Sequence, residues 1–241
     1  RVIVMSKKRA GAHWFDLWRA TVGQSWDLVV DLRCSATAWA LRARERRILQ
    51  QTSAPIHKVA EAASALGIDT VPDPKIYLSD AAMAKAAELL PDDVPVLAIC
   101  PSASRPYKVW PGERFGELVR RLTAPGGALA GARVAIFGGP GDQAAAAPIH
   151  AALPDAGLLD FSGQLGLMDV AACLQRVRLF IGNDSGLMHM AAAMQTPTLG
   201  LFGPSDERRY GPYGPHCAIV RGQTGFAEID AAFNDRRLHP E

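Results

Sequence analysis

The chain has 241 residues, of which 49% are hydrophobic and 21% are charged, and its formal net charge at pH 7 is +2. This length can hold one large or two modest domains with a substantial core, and the composition is that of an ordinary globular protein. The small net charge gives no general argument for binding nucleic acid. We find no signal peptide and no apolar run long enough to span a membrane, so we expect a soluble, cytoplasmic protein. The four cysteines form no C-x-x-C pair, which favours free thiols.

The N-terminal part of the chain alternates apolar strands with amphipathic helices. The pattern predicts strands over residues 1–5, 27–32 and 47–49, and helices over residues 14–22, 36–44 and 56–66. Alternation of this kind indicates a layer of parallel strands covered by helices.

A stiff, extended segment interrupts this pattern at Val71-Pro72-Asp73-Pro74, where two prolines stand at alternate positions. We place the domain boundary between Val71 and Asp93 and divide the chain into residues 1–75 and 76–241. The second part of the chain again alternates strands with helices. Its predicted helices cover residues 79–90, 111–122, 143–152 and 168–175, and its predicted strands cover residues 96–100, 133–137, 158–161 and 218–220.

The most informative stretch is residues 178–206. Leu179-Phe180-Ile181 has the composition of a buried parallel strand, and a glycine-containing turn follows at residues 182–186. Strong helix formers then fill residues 187–194. Pro197 ends this helix, and a second strand is predicted over residues 198–202.

The turn before the predicted helix has the features of an anion site. A helix that begins near Ser185 leaves its first backbone N–H groups unpaired and places the positive end of its dipole there. Ser185 and His189 are four residues apart and therefore share a helix face. Asp184 would accept hydrogen bonds from sugar hydroxyls or cap the helix. A capped core helix with a hydrogen-bonded histidine explains the same spacing equally well.

Residues 182–206, GNDSGLMHMAAAMQTPTLGLFGPSD, resemble the signature of glycosyltransferase family 9, the heptosyltransferases of the lipopolysaccharide inner core. The resemblance implies an α/β fold of GT-B type, with two Rossmann-like parallel-sheet domains, of which the N-terminal one is incomplete in this chain. Residues 1–75 would then be the remainder of the acceptor-side domain. Residues 76–241 would form the domain that binds the nucleotide-sugar donor.

The reaction implied by this resemblance is inverting transfer of a heptose from an ADP-sugar to a lipopolysaccharide inner-core acceptor. In that mechanism a carboxylate deprotonates an acceptor hydroxyl, which attacks the anomeric carbon and expels ADP. The family carries this base in an N-terminal loop, and we expect that loop to precede the first residue of this chain. We find no residues with metal-ligand spacing, so we expect no metal and no cofactor besides the ADP-sugar substrate.

The loop at residues 101–111 follows a predicted strand and matches the family pattern S/T-x-x-x-K-x-W-P. The match gives Lys108 the place that contacts the donor diphosphate, and Ser104 and Arg105 lie in the same loop. Lysine is a flexible ammonium that can follow charge developing on a leaving group. Taken by itself, a lysine is more often a solvated surface charge.

Two further loops resemble the ribose and adenine contacts of the family. In residues 137–142 the aligned acidic place holds Gly141, so Asp142 is the nearest carboxylate, and Gly139 permits close backbone approach. Leu165 would pack on the adenine. The alternatives are a tight turn capped by Asp142 and a plain loop before a helix.

The resemblance therefore assigns roles to two overlapping groups of residues. We predict that the catalytic residues are Lys108, Asp184 and His189. We predict that the donor site comprises Ser104, Arg105, Lys108, Gly139, Asp142, Leu165, Asp184, Ser185, Gly186 and His189.

The expected partners are an ADP-heptose-type donor and an anionic lipid-linked saccharide acceptor, with no nucleic acid. The basic groups at residues 7–9 and at Arg42, Arg44, Arg46 and Arg47 either contact this acceptor and the inner face of the bacterial inner membrane or form a solvated face. Two other functions remain open. One is a GT-B glycosyltransferase or epimerase that uses a UDP- or GDP-sugar, and the other is a fragment that binds donor without turnover.

Overall fold

A computed structural model describes residues 2–6, 8–50, 52–68, 70–90, 92–153, 157–229 and 231. The chain divides into two compact units, Arg1–Pro72 and Asp73–Glu241. Each unit is built from parallel strands and helices, which confirms the predicted α/β class. None of the described helices is long and apolar enough to cross a membrane.

The first unit contains a two-stranded parallel sheet, in which Ser25 pairs with Arg42 and Asp31 pairs with Ile48. Its elements are, in chain order, a 3-10 helix Arg9–Gly11, α1 Ala12–Thr21, β1 Ser25–Asp31, α2 Ala36–Trp39, β2 Arg42–Ile48 and α3 Lys58–Ala65.

Two predictions for this unit are wrong. Residues 2–5 form no strand, and residue 1 lies outside the described residues. The helix predicted over residues 36–44 ends at Trp39, because Arg42–Ile48 pairs along the whole of β1 instead. Alanine and arginine favour helix locally, but the ladder of strand hydrogen bonds outweighs that preference.

The second unit contains a six-stranded, fully parallel sheet with the strand order β5-β4-β3-β6-β7-β8. Its elements are α4 Asp80–Leu89, β3 Val96–Cys100, α5 Gly112–Thr123, β4 Arg133–Ile136, α6 Gln143–Ala152, β5 Leu158–Asp160, α7 Leu167–Arg176, β6 Leu179–Asn183, α8 Gly186–Ala193, β7 Thr198–Phe202, α9 Glu207–Tyr210 and β8 Cys217–Arg221.

The strand order reverses between β3 and β6. The chain proceeds from β3 outward to β4 and β5 and then returns to the other side of β3 as β6. The connections after β3 and β6 therefore leave the sheet in opposite directions, and a crevice forms at their carboxyl ends.

Helices cover both faces of this sheet, so β3 is apolar along its whole length and every one of its residues is buried. Alternate residues of β3 point into two cores. Ala98 and Cys100 pack with α4, α7 and α8, whereas Leu97 and Ile99 pack with α5 and α6. The helices α5 and α6 follow the loops after β3 and β4, so their packing helps to fix both loops.

A substitution at Gly116 of α5 tests the packing of α5 against α6. A Cβ atom there would lie 2.8 Å from the Pro148 carbonyl oxygen and 2.9 Å from the Ala152 Cβ of α6. Replacing glycine with alanine in a helix usually stabilises it by about 0.5–1 kcal/mol. We expect Gly116→Ala instead to lower the free energy of unfolding by about 1–3 kcal/mol, as overpacking does, measured by urea denaturation.

The control is Gly23→Ala, where a new Cβ would meet nothing within 4 Å. This variant should leave the urea midpoint nearly unchanged. A Gly116→Ala protein more stable than its parent would contradict the contact between α5 and α6.

Candidate functional site

A cleft of about 630 Å³ opens at the carboxyl ends of the strands in the second unit. The loops after β3, β4, β5 and β6 form it, as the reversal of strand order requires. It is lined by these members of the predicted site: Ser104, Gly139, Asp142, Leu165, Ser185 and Gly186. The structure therefore brings together six residues from four loops that are widely separated in the sequence.

The Cys100 thiol and the hydroxyls of Ser102 and Ser185 lie together in the cleft. The Sγ atom of Cys100 lies 3.8 Å from the Ser102 Oγ and 3.9 Å from the Ser185 Oγ. Burial raises the pKa of the Cys100 thiol. The thiol therefore stays protonated at neutral pH and is a structural group, not a nucleophile.

Asp142 joins two of the loops that border the cleft. Its Oδ2 atom accepts hydrogen bonds from the Ser102 hydroxyl at 2.7 Å and from the Gly139 backbone N–H at 2.8 Å. This carboxylate oxygen is therefore occupied by the protein itself. Asp142 fixes the loop after β4 against the loop after β3.

The N-terminus of α8 opens onto the cleft. Ser185 caps it, since its Oγ accepts from the Met188 backbone N–H at 3.4 Å. The first turn carries no acidic side chain, and Gly186 is exposed with nothing within 4 Å of the position that a Cβ would take. An anion in the cleft would therefore meet the positive end of the helix dipole without a competing carboxylate from that turn.

Lys108 and Asp184 form an ion pair immediately before this helix. The Nζ of Lys108 lies 2.6 Å from the Asp184 Oδ2, and the two side chains are 24% and 8% exposed. Lys108 belongs to a 3-10 helix, Pro106–Lys108, and borders a neighbouring groove of about 360 Å³ instead of the cleft. The structure thus brings two predicted site residues, Lys108 and Asp184, into contact with each other beside the cleft.

Arg105 and His189 are exposed, and neither is among the described residues that line the cleft. The backbone N–H of His189 donates to the Ser185 carbonyl at 3.4 Å, which places His189 one turn into α8.

Sequence reasoning assigned no role to Ser102 or Asn183, which the structure places at this edge of the sheet. Ser102 lines the cleft, and Asn183, the last residue of β6, is fully buried. Their position directly after or at the end of a buried apolar strand was the available signal, since ligands of parallel sheets bind at that edge. Among the described residues no group of three or more His, Cys, Asp or Glu side chains could hold a metal ion.

The basic cluster predicted in the first unit is split by the structure. Arg46 donates hydrogen bonds to the carbonyls of Ala38 and Ala43, and Arg47, besides its pair with Glu45, donates to the Leu66 carbonyl at the end of α3. These two arginines therefore hold the unit together. Arg42 and Arg44 are exposed and remain available to solvent or a partner.

A double-mutant cycle at Ser102 and Asp142 tests the link between the two loops. Asp142→Ala leaves a buried hydroxyl and a backbone N–H without their acceptor, so we expect a loss of about 1–3 kcal/mol in the free energy of unfolding. Ser102→Ala should cost less, and the two changes should show a coupling energy of about 0.5–3 kcal/mol.

Urea denaturation measures all three variants. Asp92→Ala, which removes a carboxylate whose side chain is 83% exposed, is the control and should cost little. Strictly additive losses at Ser102 and Asp142 would show that the two side chains do not interact.

Comparison with known proteins places these observations in a family. The family described as glycosyltransferase family 9 (heptosyltransferase) matches residues 22–231. The chain is 31% identical over 144 residues to lipopolysaccharide heptosyltransferase 2 of Salmonella typhimurium, a match that covers 58% of this chain and 40% of that protein. The chain thus spans less than half the length of this curated relative.

Two solved structures from Escherichia coli share the fold. ADP-heptose lipopolysaccharide heptosyltransferase II superimposes with a TM-score of 0.72 at 20% identity, over 95% of this chain and 82% of that one. A heptosyltransferase solved with ADP superimposes with a TM-score of 0.65 at 19% identity, over 94% of this chain and 77% of that one. The family match over residues 22–231 shows that the chain belongs to glycosyltransferase family 9, the heptosyltransferase family.

Proposed function

We propose that the second unit binds an ADP-heptose-type donor in its cleft and that the protein transfers the heptose, with inversion, to a lipopolysaccharide inner-core saccharide. The observation that carries the proposal is the open N-terminus of α8, with the Lys108–Asp184 ion pair directly before it. Family membership and the heptosyltransferase names of the relatives support the choice of reaction.

The donor diphosphate would lie at the start of α8. Its negative charge would be met by the helix dipole and by the backbone N–H groups near Ser185 and Gly186. Lys108 would then break its ion pair with Asp184 and form one with the diphosphate instead. An ammonium in that position stabilises the charge that develops on ADP as the bond to the sugar breaks.

Once Lys108 no longer pairs with it, the Asp184 carboxylate would accept hydrogen bonds from the sugar. A carboxylate accepts hydrogen bonds only, and sugar hydroxyls are good donors, so Asp184 is suited to orient the heptose. It would repel a phosphate placed directly against it. His189, one turn further along α8, would supply a second contact, and Arg105 would add positive charge at the rim.

The nucleobase would pack against the apolar wall of the cleft. This wall is formed by Leu165, Leu187, Val170 and Met190. Ser104, Gly139 and Asp142 border the same cleft and would meet the ribose and the phosphates. A related E. coli heptosyltransferase has been solved with ADP, which supports adenine as the base.

The acceptor would be an anionic, lipid-linked saccharide. Arg42 and Arg44, exposed on β2 of the first unit, are the described basic residues that we assign to it or to an anionic membrane surface. Such a protein would work at the cytoplasmic face of the bacterial inner membrane.

Calorimetric titration with ADP, UDP and GDP tests the donor site. We expect ADP to bind most tightly, and we expect Lys108→Ala to weaken ADP binding by about tenfold or more, since a charge-assisted contact contributes about 1.5–3 kcal/mol. Lys85→Ala is the matched control, because Lys85 pairs with Asp169 at 2.5 Å and does not line the cleft.

Lys85→Ala should bind ADP as the parent does. Tighter binding of UDP or GDP would instead assign the protein to a glycosyltransferase or epimerase that uses those nucleotides. Equal ADP affinity in the parent and in Lys108→Ala would refute the diphosphate role of Lys108.

The proposed exchange of partners by Lys108 also predicts that a change at Asp184 affects the binding of two ligands differently. Asp184→Asn removes the carboxylate that competes for Lys108, so ADP should bind more tightly. The same variant loses a strong acceptor for sugar hydroxyls, so an ADP-heptose should gain less than ADP or bind more weakly. Titration of both ligands measures the difference, and equal changes for the two would exclude contact between Asp184 and the sugar.

A further inference from the structure

Asn183 makes two buried hydrogen bonds to the loop that carries Lys108. Its Nδ2 donates to the Pro101 carbonyl oxygen at 2.8 Å, and its Oδ1 accepts from the Trp110 backbone N–H at 3.0 Å. The side chain is 0% exposed. One amide therefore binds the first and the last part of the loop after β3.

The identity of the side chain follows from these two partners. Pro101 has no N–H and presents only a carbonyl acceptor, whereas the Trp110 main chain presents a donor. The partner must therefore offer one donor and one acceptor on a short, planar group. Asparagine does so, an ionised aspartate offers acceptors only, and leucine offers neither.

The conformation of the middle of this loop depends on how its two ends are held. Residues 104–107 are all exposed, and the backbone hydrogen bonds of this segment are local, from Lys108 N–H to the Arg105 carbonyl at 3.0 Å and from Val109 N–H to the Pro106 carbonyl at 3.1 Å. The loop also has a long-range side-chain contact in the Lys108–Asp184 pair. When a donor draws Lys108 away from Asp184, that contact is lost, and the Asn183 bonds remain together with the bond from Ser102 to Asp142.

We propose that Asn183 is a positioning residue for donor binding: it keeps the loop 101–111 ordered while Lys108 changes its partner from Asp184 to the diphosphate. The ligand then does not bear the conformational cost of ordering the loop. The role in binding rests on the proposed function, whereas the role in ordering the loop does not.

Hydrogen exchange followed by mass spectrometry tests the ordering of the loop without any ligand. In Asn183→Leu the peptides that cover residues 101–111 should exchange about five- to tenfold faster, because the loss of buried hydrogen bonds lowers the cost of local opening. Peptides from β3 and β4 should exchange as in the parent.

Thr196→Val is the matched control. It removes another buried hydrogen bond of the same unit, from Thr196 Oγ1 to the Leu174 carbonyl at 2.6 Å. It should lower the free energy of unfolding without changing exchange in residues 101–111.

A second variant gives a readout that loss of stability alone would not produce. Asn183→Asp should loosen the loop at about pH 8, where the carboxylate has no proton to donate to Pro101. At about pH 5 the buried carboxyl should regain a proton and with it the donor–acceptor pattern of the amide. Exchange in residues 101–111, compared with the parent at the same pH, should then return towards the parent rate. This variant also decides the proposal if Asn183→Leu does not fold.

Calorimetry with ADP completes the test. We expect both Asn183 variants at about pH 8 to bind ADP about five- to tenfold more weakly than the parent, and Thr196→Val to bind it unchanged. Unchanged exchange in the Asn183 variants would overturn the proposal. Faster exchange with unchanged ADP affinity would overturn the positioning role. If the parent itself bound no ADP, the proposed function would fail, and the exchange data would still decide whether Asn183 orders the loop.

Discussion

The reversal of strand order between β3 and β6 is the constraint on which the rest of the second unit depends. Parallel strands deliver all their carboxyl ends to one edge, and the reversal sends the connections after β3 and β6 to opposite sides. The cleft, the open end of α8 and the loop that carries Lys108 all lie at this edge. Helices pack on both faces of the sheet, and the two buried cores fix the points at which the loops leave the strands.

Lys108 and Asp184 neutralise each other before any ligand binds. Asp184 is almost fully buried, and an unpaired carboxylate in that place would be costly, so Lys108 serves as its counter-ion. The Cys100 thiol keeps its proton and adds no charge to the cleft, whereas the Asp142 carboxylate beside it is hydrogen-bonded to Ser102. In the complex that we propose, the diphosphate would replace Asp184 as the partner of Lys108, and sugar hydroxyls would replace Lys108 as donors to the buried carboxylate. The proposed exchange would couple donor binding to the release of Asp184 through one ammonium group.

Much of the second unit could be predicted from local sequence. The helix over residues 143–152 and the strand over residues 198–202 have the predicted bounds, since their apolar periodicity and flanking breakers agree with the tertiary contacts. The secondary structure of the first unit was harder to predict, because residues 36–44 have helical propensity and β2 forms only through pairing with β1. Strand pairing is non-local, so a window of sequence does not contain the information that decides it.

The sequence by itself determined the fold class, the family signature at residues 182–206 and the loops whose residues gather at one edge, because strand–loop–helix periodicity and parallel connections are written in local patterns. Only the tertiary structure decided the partners of these residues. Lys108 and Asp184 are 76 positions apart, and Asn183 reaches Pro101 over 82. Such contacts depend on which strands are neighbours and on the direction in which each side chain leaves its backbone. Those two properties exist only once the sheet has formed.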